Sequence, residues 1–560
     1  MAFVITQRCC NDASCVEVCP VDCIRPSPDD PEFSSTEMLH IDPKACIDCG
    51  ACVPACPVGA IRYEDDLPNA MERYREINAH YFERKPLDAN PTLFHSPHRV
   101  PGGSRARVAI VGSGPAGCYA AEELLNRLDV EVEIFDRLPT PHGLIRAGVA
   151  PDHAETKGVG AVFDSRFAAD AVQLHLNVEV GRDITHEELM EYHHAVIYAV
   201  GAFEERQLGI PGEHLPGSHP ASEFVAWYNG HPDFASMSYD LSGERAVIVG
   251  NGNVALDVAR ILLLGSEELA TTDIADQALT ALRTSSIREV VILGRRGPLQ
   301  AAYSSSEFLA LGSLPGVDVC IDPRELLLDN RSRALLLDDD VDPALEFKVR
   351  IAQEYADRPL QGHDKRLVFR YAVSPDQILG TDRVSGIRIT ENELVESDGE
   401  VQARPTDVTQ EIDASIVLRS IGFRGHPLPD LPFDGRRTTV PHTRGRVDGG
   451  DAQAHVGVYV AGWIKRGATG TIGTNRHCSR ETVESLVEDF NAGRLPHPRG
   501  DRHALNSLLN GRRLQVVSAA GWRAIDSAER RKGRAAGRPR VKFTEVEMMT
   551  EIASGATTRT

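Results

Sequence analysis

Two cysteine runs near the start constrain this chain more than any other feature. The first, "CCNDASCVEVCP" (Cys9 to Pro20), and the second, "CIDCGACVPACP" (Cys46 to Pro57), fit one ruler. The second carries Cys46, Cys49, Cys52 and Cys56, then proline. The first carries Cys9, Cys15 and Cys19 at matching offsets, then Pro20, with Asp12 where a cysteine would stand. Nine of the twelve cysteines lie in the first 56 residues; only Cys118, Cys320 and Cys478 follow. Such clustering favours metal ligation over disulfides.

The spacing C-x2-C-x2-C-x3-C-P is the iron–sulfur pattern of bacterial ferredoxins, in which three cysteines hold one cluster and the fourth crosses to the other. Soft thiolate donors suit iron–sulfide cores. The spacing predicts a [4Fe–4S] cluster on Cys46, Cys49, Cys52 and Cys19. A second cluster falls on Cys9, Cys15 and Cys56, its fourth corner either empty, giving [3Fe–4S], or filled by Asp12. Cys10 and Cys23 are off the ruler and read as non-ligands, although a one-residue slip would put Cys10 in the place of Cys9. Structural zinc would more often use Cys pairs separated by a longer loop. The stretch resembles the seven-iron ferredoxins, which share the broken first motif; that resemblance implies a [3Fe–4S] first cluster.

The 560 residues are enough for three or four domains. A net charge of −21 argues against nucleic acid or an anionic membrane as main partner. No apolar run reaches membrane-span length and the start lacks a signal-peptide pattern, so the expected location is cytoplasmic, without membrane insertion. "NAMERYREINAHYFERK" (69–85) reads as a helix with Met71, Tyr74, Tyr81 and Phe82 on one face. The expected organisation is a ferredoxin domain at 1–85, a Pro/Gly/Ser-rich linker at 86–105, and a first FAD-binding part at 106–205. An NADP-binding domain at 206–445 and a second FAD part with C-terminal extension at 446–560 follow. Residues 316–445 read as β-like segments and turns. Alternating strands and helices beyond the linker predict an α/β, doubly wound flavoprotein with two dinucleotide-binding domains, preceded by a small α+β ferredoxin domain.

"VGSGPAG" supplies Gly112, Gly114 and Gly117 between a strand and a helix, and Asp136 ends the next strand. The glycines let backbone approach a pyrophosphate, and the aspartate can accept from a ribose. "VGNGNVALDVA" supplies Gly250 and Gly252, then Ala255. No acid ends its next strand; Arg295 and Arg296 stand there and suit the 2′-phosphate of NADP rather than NAD. The interval to them is long because of the insert "GSEELATTDIADQALTALRTSSIR". One flavin and one exchanging nicotinamide follow: hydride arrives as an electron pair, clusters take single electrons, and flavin converts between them.

From Arg105 onward the chain resembles the adrenodoxin-reductase family of ferredoxin–NADP reductases. The stretches "HGLIRAGVAPDH", "VIVGNGNVALDVAR", "GRRGPLQAAYSSSEF" and "GWIKRGATGTIGTNR" carry the resemblance, and the whole is similar to the actinobacterial type with a ferredoxin fused in front. The resemblance implies that Ala116, Asp136, Leu144 and Val180 line FAD and that Trp463, Gly470, Thr471 and Ile472 cover its isoalloxazine ring. It places Asn251, Gly252, Asn253 and Val254 at the NADP pyrophosphate. Arg295, Arg296 and Glu307 would enclose the adenosine phosphate end, with Gly470 also near the nicotinamide. His153 matches a family histidine near the flavin, either positioning the nicotinamide or a hydrogen-bonded structural residue. Where relatives often carry another glutamate one turn beyond Glu307, this chain has Ala310, which argues against a His–Glu pairing there.

The activity implied is electron transfer from NADPH through FAD to the iron–sulfur clusters or a free ferredoxin, and on to an acceptor such as a haem mono-oxygenase. Two other readings share the features: a flavin electron-input subunit like the small subunit of glutamate synthase, and a non-catalytic redox sensor holding zinc and a nucleotide. The basic run "RRKGRAAGRPRVK" (530–542) is either a partner for the acidic cysteine block or a solvated surface. Cys118, Cys320 and Cys478 read as buried apolar fillers.

Overall fold

A computed structural model describes residues 2–87, 105–338, 341–397, 399–449 and 455–557. Most of the expected linker lies outside the described residues.

The cysteine block, too small to bury much apolar surface, is built from short pieces. Strand Phe3–Ile5 pairs antiparallel with Ile61–Tyr63, and Ile24–Arg25 with His40–Ile41. Both runs turn the same way. Asn11 (φ 57) and Ala13 (φ 58) in the first match Asp48 (φ 58) and Gly50 (φ 70) in the second. The left-handed region is uncommon for alanine, so its recurrence at equal offsets marks a repeated loop. The repeat aligns Cys9 with Cys46 and Asp12 with Cys49. The predicted helix begins as a 3-10 turn at Asn69–Met71 and becomes α-helical over Arg73–Arg84. Its buried face is Tyr74, Ile77, Asn78, Tyr81 and Phe82, whereas Met71 is half-exposed. Asn78 joins the two hairpins. Its Oδ1 accepts from Ile5 N at 3.2 Å and Ile41 N at 2.9 Å, and its Nδ2 donates to Ile5 O at 2.8 Å.

Two doubly wound sheets carry the rest. The first orders His442–Thr443, Arg446–Val447, Val458–Val460, Ala195–Tyr198, Ala106–Val111, Val130–Asp136 and Val172–Leu176, the last five parallel. At its edge the hairpin of His442–Thr443 and Arg446–Val447 precedes the returning strand Val458–Val460. The second sheet is wholly parallel: Ser218–Pro220, Ile416–Arg419, Arg245–Val249, Glu289–Leu293, Lys365–Arg370 and Val317–Ile321. Strands buried on both faces read as unbroken apolar runs, as "AVIV" and "VVIL" do here. Residues 316–445 are not all strands and turns: Asn330–Leu336 and Pro343–Asp357 are helices, the second begun by the Asp342 side chain accepting from Ala344 N. The insert after the second glycine turn is helical too, at Ser266–Leu269 and Asp276–Arg283. Among the described residues no helix is long and apolar enough to cross a membrane.

The basic C-terminal run does not face the cysteine block. Arg538 pairs with Asp276 at 2.6 Å, Arg540 with Asp526 and Glu529, and Lys542 with Asp273 at 3.0 Å. Folding the extension back on its own domains brings these cations to acids, of which Asp273 and Glu529 are buried. Glu529, on the helix Ala519–Ala535, has a fully buried side chain. It takes two bonds from Arg146, at 2.9 and 2.5 Å, one from Arg540 at 3.0 Å and one from Phe543 N at 2.9 Å. Burial alone would raise its carboxyl, but Arg146 and then Arg540 outweigh burial and hold it below the ordinary glutamate range. Glu529→Ala strands the Arg146 guanidinium and leaves Arg540 with Asp526 alone; it is expected to destabilise by about 3–5 kcal/mol, read as a lower calorimetric midpoint. A depressed folded pKa contributes stability above the unfolded value of about 4.3, lost as pH falls through the folded one. The difference between wild type and variant should therefore shrink in acid.

Candidate functional site

The cysteines fall into two groups. Cys19, Cys46, Cys49 and Cys52 line one cavity together with Cys23 and apolar walls that include Phe3, Ile24 and Ile41. The four thiols on the ruler, drawn from both runs and converging on one space, fit a four-iron core. Cys9, Cys15, Cys56 and Asp12 form the second group. Burial pushes the Cys9 thiol up to about 12, with Cys56 and Asp12 adding to it, and Cys15 well above its usual value. Thiolates there require a positive centre, which a bound iron core supplies. The Asp12 carboxylate is turned onto its own loop, where Ser14 donates to it through both N and Oγ. Of the two cysteines off the ruler, Cys23 Sγ lies 3.5 Å from Cys19 Sγ, and Cys10 acts through its backbone.

The first glycine turn runs from strand Ala106–Val111 into helix Pro115–Arg127. A Cβ at Gly117 would meet Gly112 O at 2.0 Å, so helix and strand pack closer than any other residue allows. Gly114 faces Gly143, the residue that opens Leu144–Ala147. Asp136 Oδ2 accepts from Ser113 N at 2.9 Å, holding the acid over the turn. Val180 is half-buried beside its bridge to Ile184. Opposite Ala116, Gly462 opens the stretch bearing Trp463; a Cβ there would lie 2.6 Å from Ala116 Cβ. These close backbone approaches fit a flat dinucleotide. Trp463 is half-exposed, stacked on Phe423 with centroids 5.7 Å apart, and donates to Thr469 O at 3.0 Å, so it is no core residue. Cys118 and Cys478 do more than fill space: Cys118 Sγ donates to Ser113 O at 3.2 Å and Cys478 Sγ accepts from Gly462 N at 3.2 Å. Cys320 is only half-buried.

The second glycine turn repeats the first. Gly250 and Gly112 have φ of 105 and 104, and a Cβ on Gly250 would strike Ser420 O at 2.1 Å. Asn251 lies against Gly294, Gly252 faces Ala302, and Val254 packs on the core. Asn253 Oδ1 accepts from Ser304 N at 2.7 Å. Arg295 is exposed at the end of strand Glu289–Leu293 with half-buried Arg296 beside it. The Arg296 charge is disfavoured by burial and by Arg295, a repulsion that a bound phosphate would relieve. Asn392 pins the pair by donating to Arg295 O at 2.9 Å.

Glu307 departs from the expected grouping with these arginines. It sits in the first turn of helix Ser305–Leu311, its Oε2 3.9 Å from His153 Nε2 and 3.8 Å from Arg260 Nη1. A His–Glu pair exists after all, because Glu307 itself turns to His153 and no carboxylate at position 310 is needed. Asp257 completes a cluster with them, every ligand-type atom within 4.8 Å of the others. Arg260 supplies the positive charge, bonded to Asp257 at 2.6 Å and to Asp152 at 2.5 Å. The sequence reading missed Asp152, Asp257 and Arg260. "LDVAR" places Asp257 and Arg260 three apart on one helix face, a signal that was available.

The cysteine block meets the loop that follows Trp463. Cys10 O accepts from Gly473 N at 2.7 Å and from Thr471 Oγ1 at 2.8 Å. Arg476 donates to Asp12 O at 2.9 Å and Ser14 Oγ at 3.0 Å, and with Arg480 it faces Glu17. The loop holding Gly470, Thr471 and Ile472 is therefore seated against the broken cysteine run.

Residues 106–296 match the pyridine nucleotide-disulphide oxidoreductase family and residues 39–62 the 4Fe-4S binding domain. The "Probable ferredoxin/ferredoxin--NADP reductase" of Mycobacterium tuberculosis H37Rv is 48% identical over 99% of this chain and 96% of its own; that of Mycobacterium leprae is 45% identical over 99% and 98%. The chain belongs to the FprA-type ferredoxin–NADP reductases. Mycobacterium tuberculosis FprA in complex with NADPH shares 44% identity and a TM-score of 0.75, covering 81% of this chain and all of that one. The protein is thus an NADPH-dependent flavin oxidoreductase with a fused iron–sulfur domain of the 4Fe–4S type.

The seating of the loop can be tested directly. A Cβ at Gly473 would lie 2.2 Å from both Asp12 N and Cys10 O, backbone atoms that no side-chain rotation can move. Gly473→Ala is expected to part the two surfaces. Hydrogen exchange should then quicken at residues 471–476 and 10–14 while strands Phe3–Ile5 and Ile61–Tyr63 keep their protection.

Proposed function

We propose that electrons taken from NADPH at the flavin site pass to the cysteine block of the same chain, and from it to a ferredoxin or a haem mono-oxygenase. Bound FAD would supply the exchange between a hydride pair and single electrons that iron–sulfur clusters require. The observation that carries this reading is the pair of bonds from Thr471 and Gly473 to Cys10 O, which seat the broken run on the loop expected to cover the isoalloxazine ring. On the nicotinamide side, Arg295 and Arg296 are the residues for the 2′-phosphate, and Asn251 to Val254 those for the pyrophosphate. His153 and Glu307 face each other at 3.9 Å. Hydride transfer needs alignment rather than strong acid or base, so their role is to orient the nicotinamide. The glutamate-synthase-like and zinc-sensor readings find no matching support in the family to which the chain belongs.

Cys19, Cys46, Cys49 and Cys52 would hold a [4Fe–4S] cluster and Cys9, Cys15 and Cys56 a [3Fe–4S] cluster. Three irons are favoured because both oxygens of the Asp12 carboxylate are already engaged by Ser14. The test is EPR of protein as isolated and after anaerobic addition of NADPH. An oxidised three-iron core is paramagnetic and an oxidised four-iron core is not. Asp12→Cys is expected to abolish the oxidised-state signal and add about one iron per chain. An EPR-silent oxidised wild type would refute the three-iron assignment, and clusters that stay oxidised under NADPH would refute the electron route.

Removing Arg295 and Arg296 together is expected to raise the KM for NADPH by about 10- to 100-fold, the loss of charge-assisted bonds to one phosphate. The KM for NADH, which lacks that phosphate, should barely change in steady-state assays.

A further inference from the structure

Residues 305, 306 and 307 are each held by the cysteine block. Glu37 Oε2 accepts from Ser305 N at 2.6 Å, and its other oxygen pairs with buried Lys348 at 2.6 Å. The Tyr74 hydroxyl donates to Ser306 O at 3.5 Å. Gln7 Nε2 donates to Glu307 Oε2 at 3.0 Å. That oxygen is the one nearest both His153 and Arg260, which lie beyond hydrogen-bond distance. Among the described residues, Gln7 is therefore the side chain that gives this carboxylate a directional bond. Gln7 itself stands in a tight turn: Cys9 N donates to Thr6 O at 3.1 Å, and the Thr6 hydroxyl donates to Ala60 O at 2.9 Å.

We propose that Gln7 is a positioning residue of the hydride site, aiming the Glu307 carboxylate at His153, so that the cysteine block completes the reductase site as well as drawing electrons from it. The inference rests on the reading that His153 and Glu307 border the nicotinamide. The reason is geometric. A glutamate on the first turn of a helix has three rotatable bonds, and charges 3.8 and 3.9 Å away attract it without fixing its plane. A hydrogen bond at 3.0 Å fixes that plane.

The groups facing Glu307 are His153 ahead of helix Ala154–Lys157, Asp257 and Arg260 on helix Asn253–Leu263, Tyr74 on Arg73–Arg84, and Gln7. Burial raises the Glu307 carboxyl above its usual range; His153 draws it down, Asp257 pushes it up, and Arg260 and Gln7 draw it down again. Losing the Gln7 bond favours the protonated form, so the ionisation should move upward.

The experiment uses the full-length holoenzyme. The pH profile of flavin reduction by NADPH is followed by stopped flow, and amide exchange is mapped over residues 304–311. Gln7→Ala is expected to shift the acidic limb upward by about half to one pH unit. Ser305 and Ser306 should stay protected, because Glu37 and Tyr74 still hold them. Glu307→Gln should remove that limb, and Glu37→Gln, which loosens the same helix start without touching Glu307, should leave its pKa in place. If Gln7→Ala leaves the limb where it was, or if Glu37→Gln moves it equally, the proposal is overturned. If Glu307→Gln leaves the limb intact, the underlying placement of Glu307 at the hydride site is what fails.

Discussion

The backbone of Gly473 lies so near the backbone of Cys10 to Asp12 that no side chain fits between them, and the rest of the arrangement depends on that approach. Because the contact is backbone on backbone, the position of the first cysteine run is set by main-chain geometry rather than by adaptable side chains. Cys10, which the ruler excludes from metal binding, is the residue whose carbonyl makes the junction. Thr471 adds its hydroxyl to the same acceptor, and Arg476 extends the seam to Asp12 and Ser14. The broken run is thus tied to the reductase through the residues beside its ligand positions, leaving the thiols free to face inward.

Around this seam the electrostatics divide into two kinds. Inside, charges are buried and fully partnered: Glu529 with Arg146 and Arg540, Asp273 between Lys157 and Lys542, Asp152 and Asp257 on Arg260. Such pairs fix one geometry strongly, since removing either member leaves an uncompensated ion. Between the cysteine block and the second sheet's domain some pairs are more exposed, as in Arg73–Glu354 and Glu76–Arg350, although Glu37 meets a buried Lys348. The exposed pairs contribute little each and are screened by salt. They follow the outer helix Arg73–Arg84, whose inner face Asn78 fastens to both hairpins.

Much of this was legible in the residues because it rests on local rules. Cysteine spacing, glycine turns and apolar runs are local patterns, and the two glycine turns, their strands and the repeated cysteine loops stand where those patterns put them. Pairing at long range was not legible. Nothing local separates Glu307 facing Arg295 from Glu307 facing His153, because the choice depends on how two domains pack. Among the partners of "RRKGRAAGRPRVK", Asp273 and Asp276 were hidden for the same reason: they lie far from the run in sequence and meet it only once the extension folds back. Gln7, two residues before Cys9, carried no signal, since its partner is a residue 300 positions away. Helices at Asn330–Leu336 and Pro343–Asp357 were masked by flanking strand-like stretches, although Asp342-Pro343 is a recognisable helix start.

The weakness of the outer ion pairs has a consequence for why the two parts share one chain. Several charges across the seam are half-exposed and would loosen as ionic strength rises, whereas Glu37–Lys348 and the apolar core shared by the two parts are shielded from salt. Joining them covalently substitutes proximity for tight binding, with the partner present at about millimolar effective concentration whatever the abundance of the protein. Continuity of the polypeptide thus keeps the two parts together under conditions in which salt weakens those outer pairs.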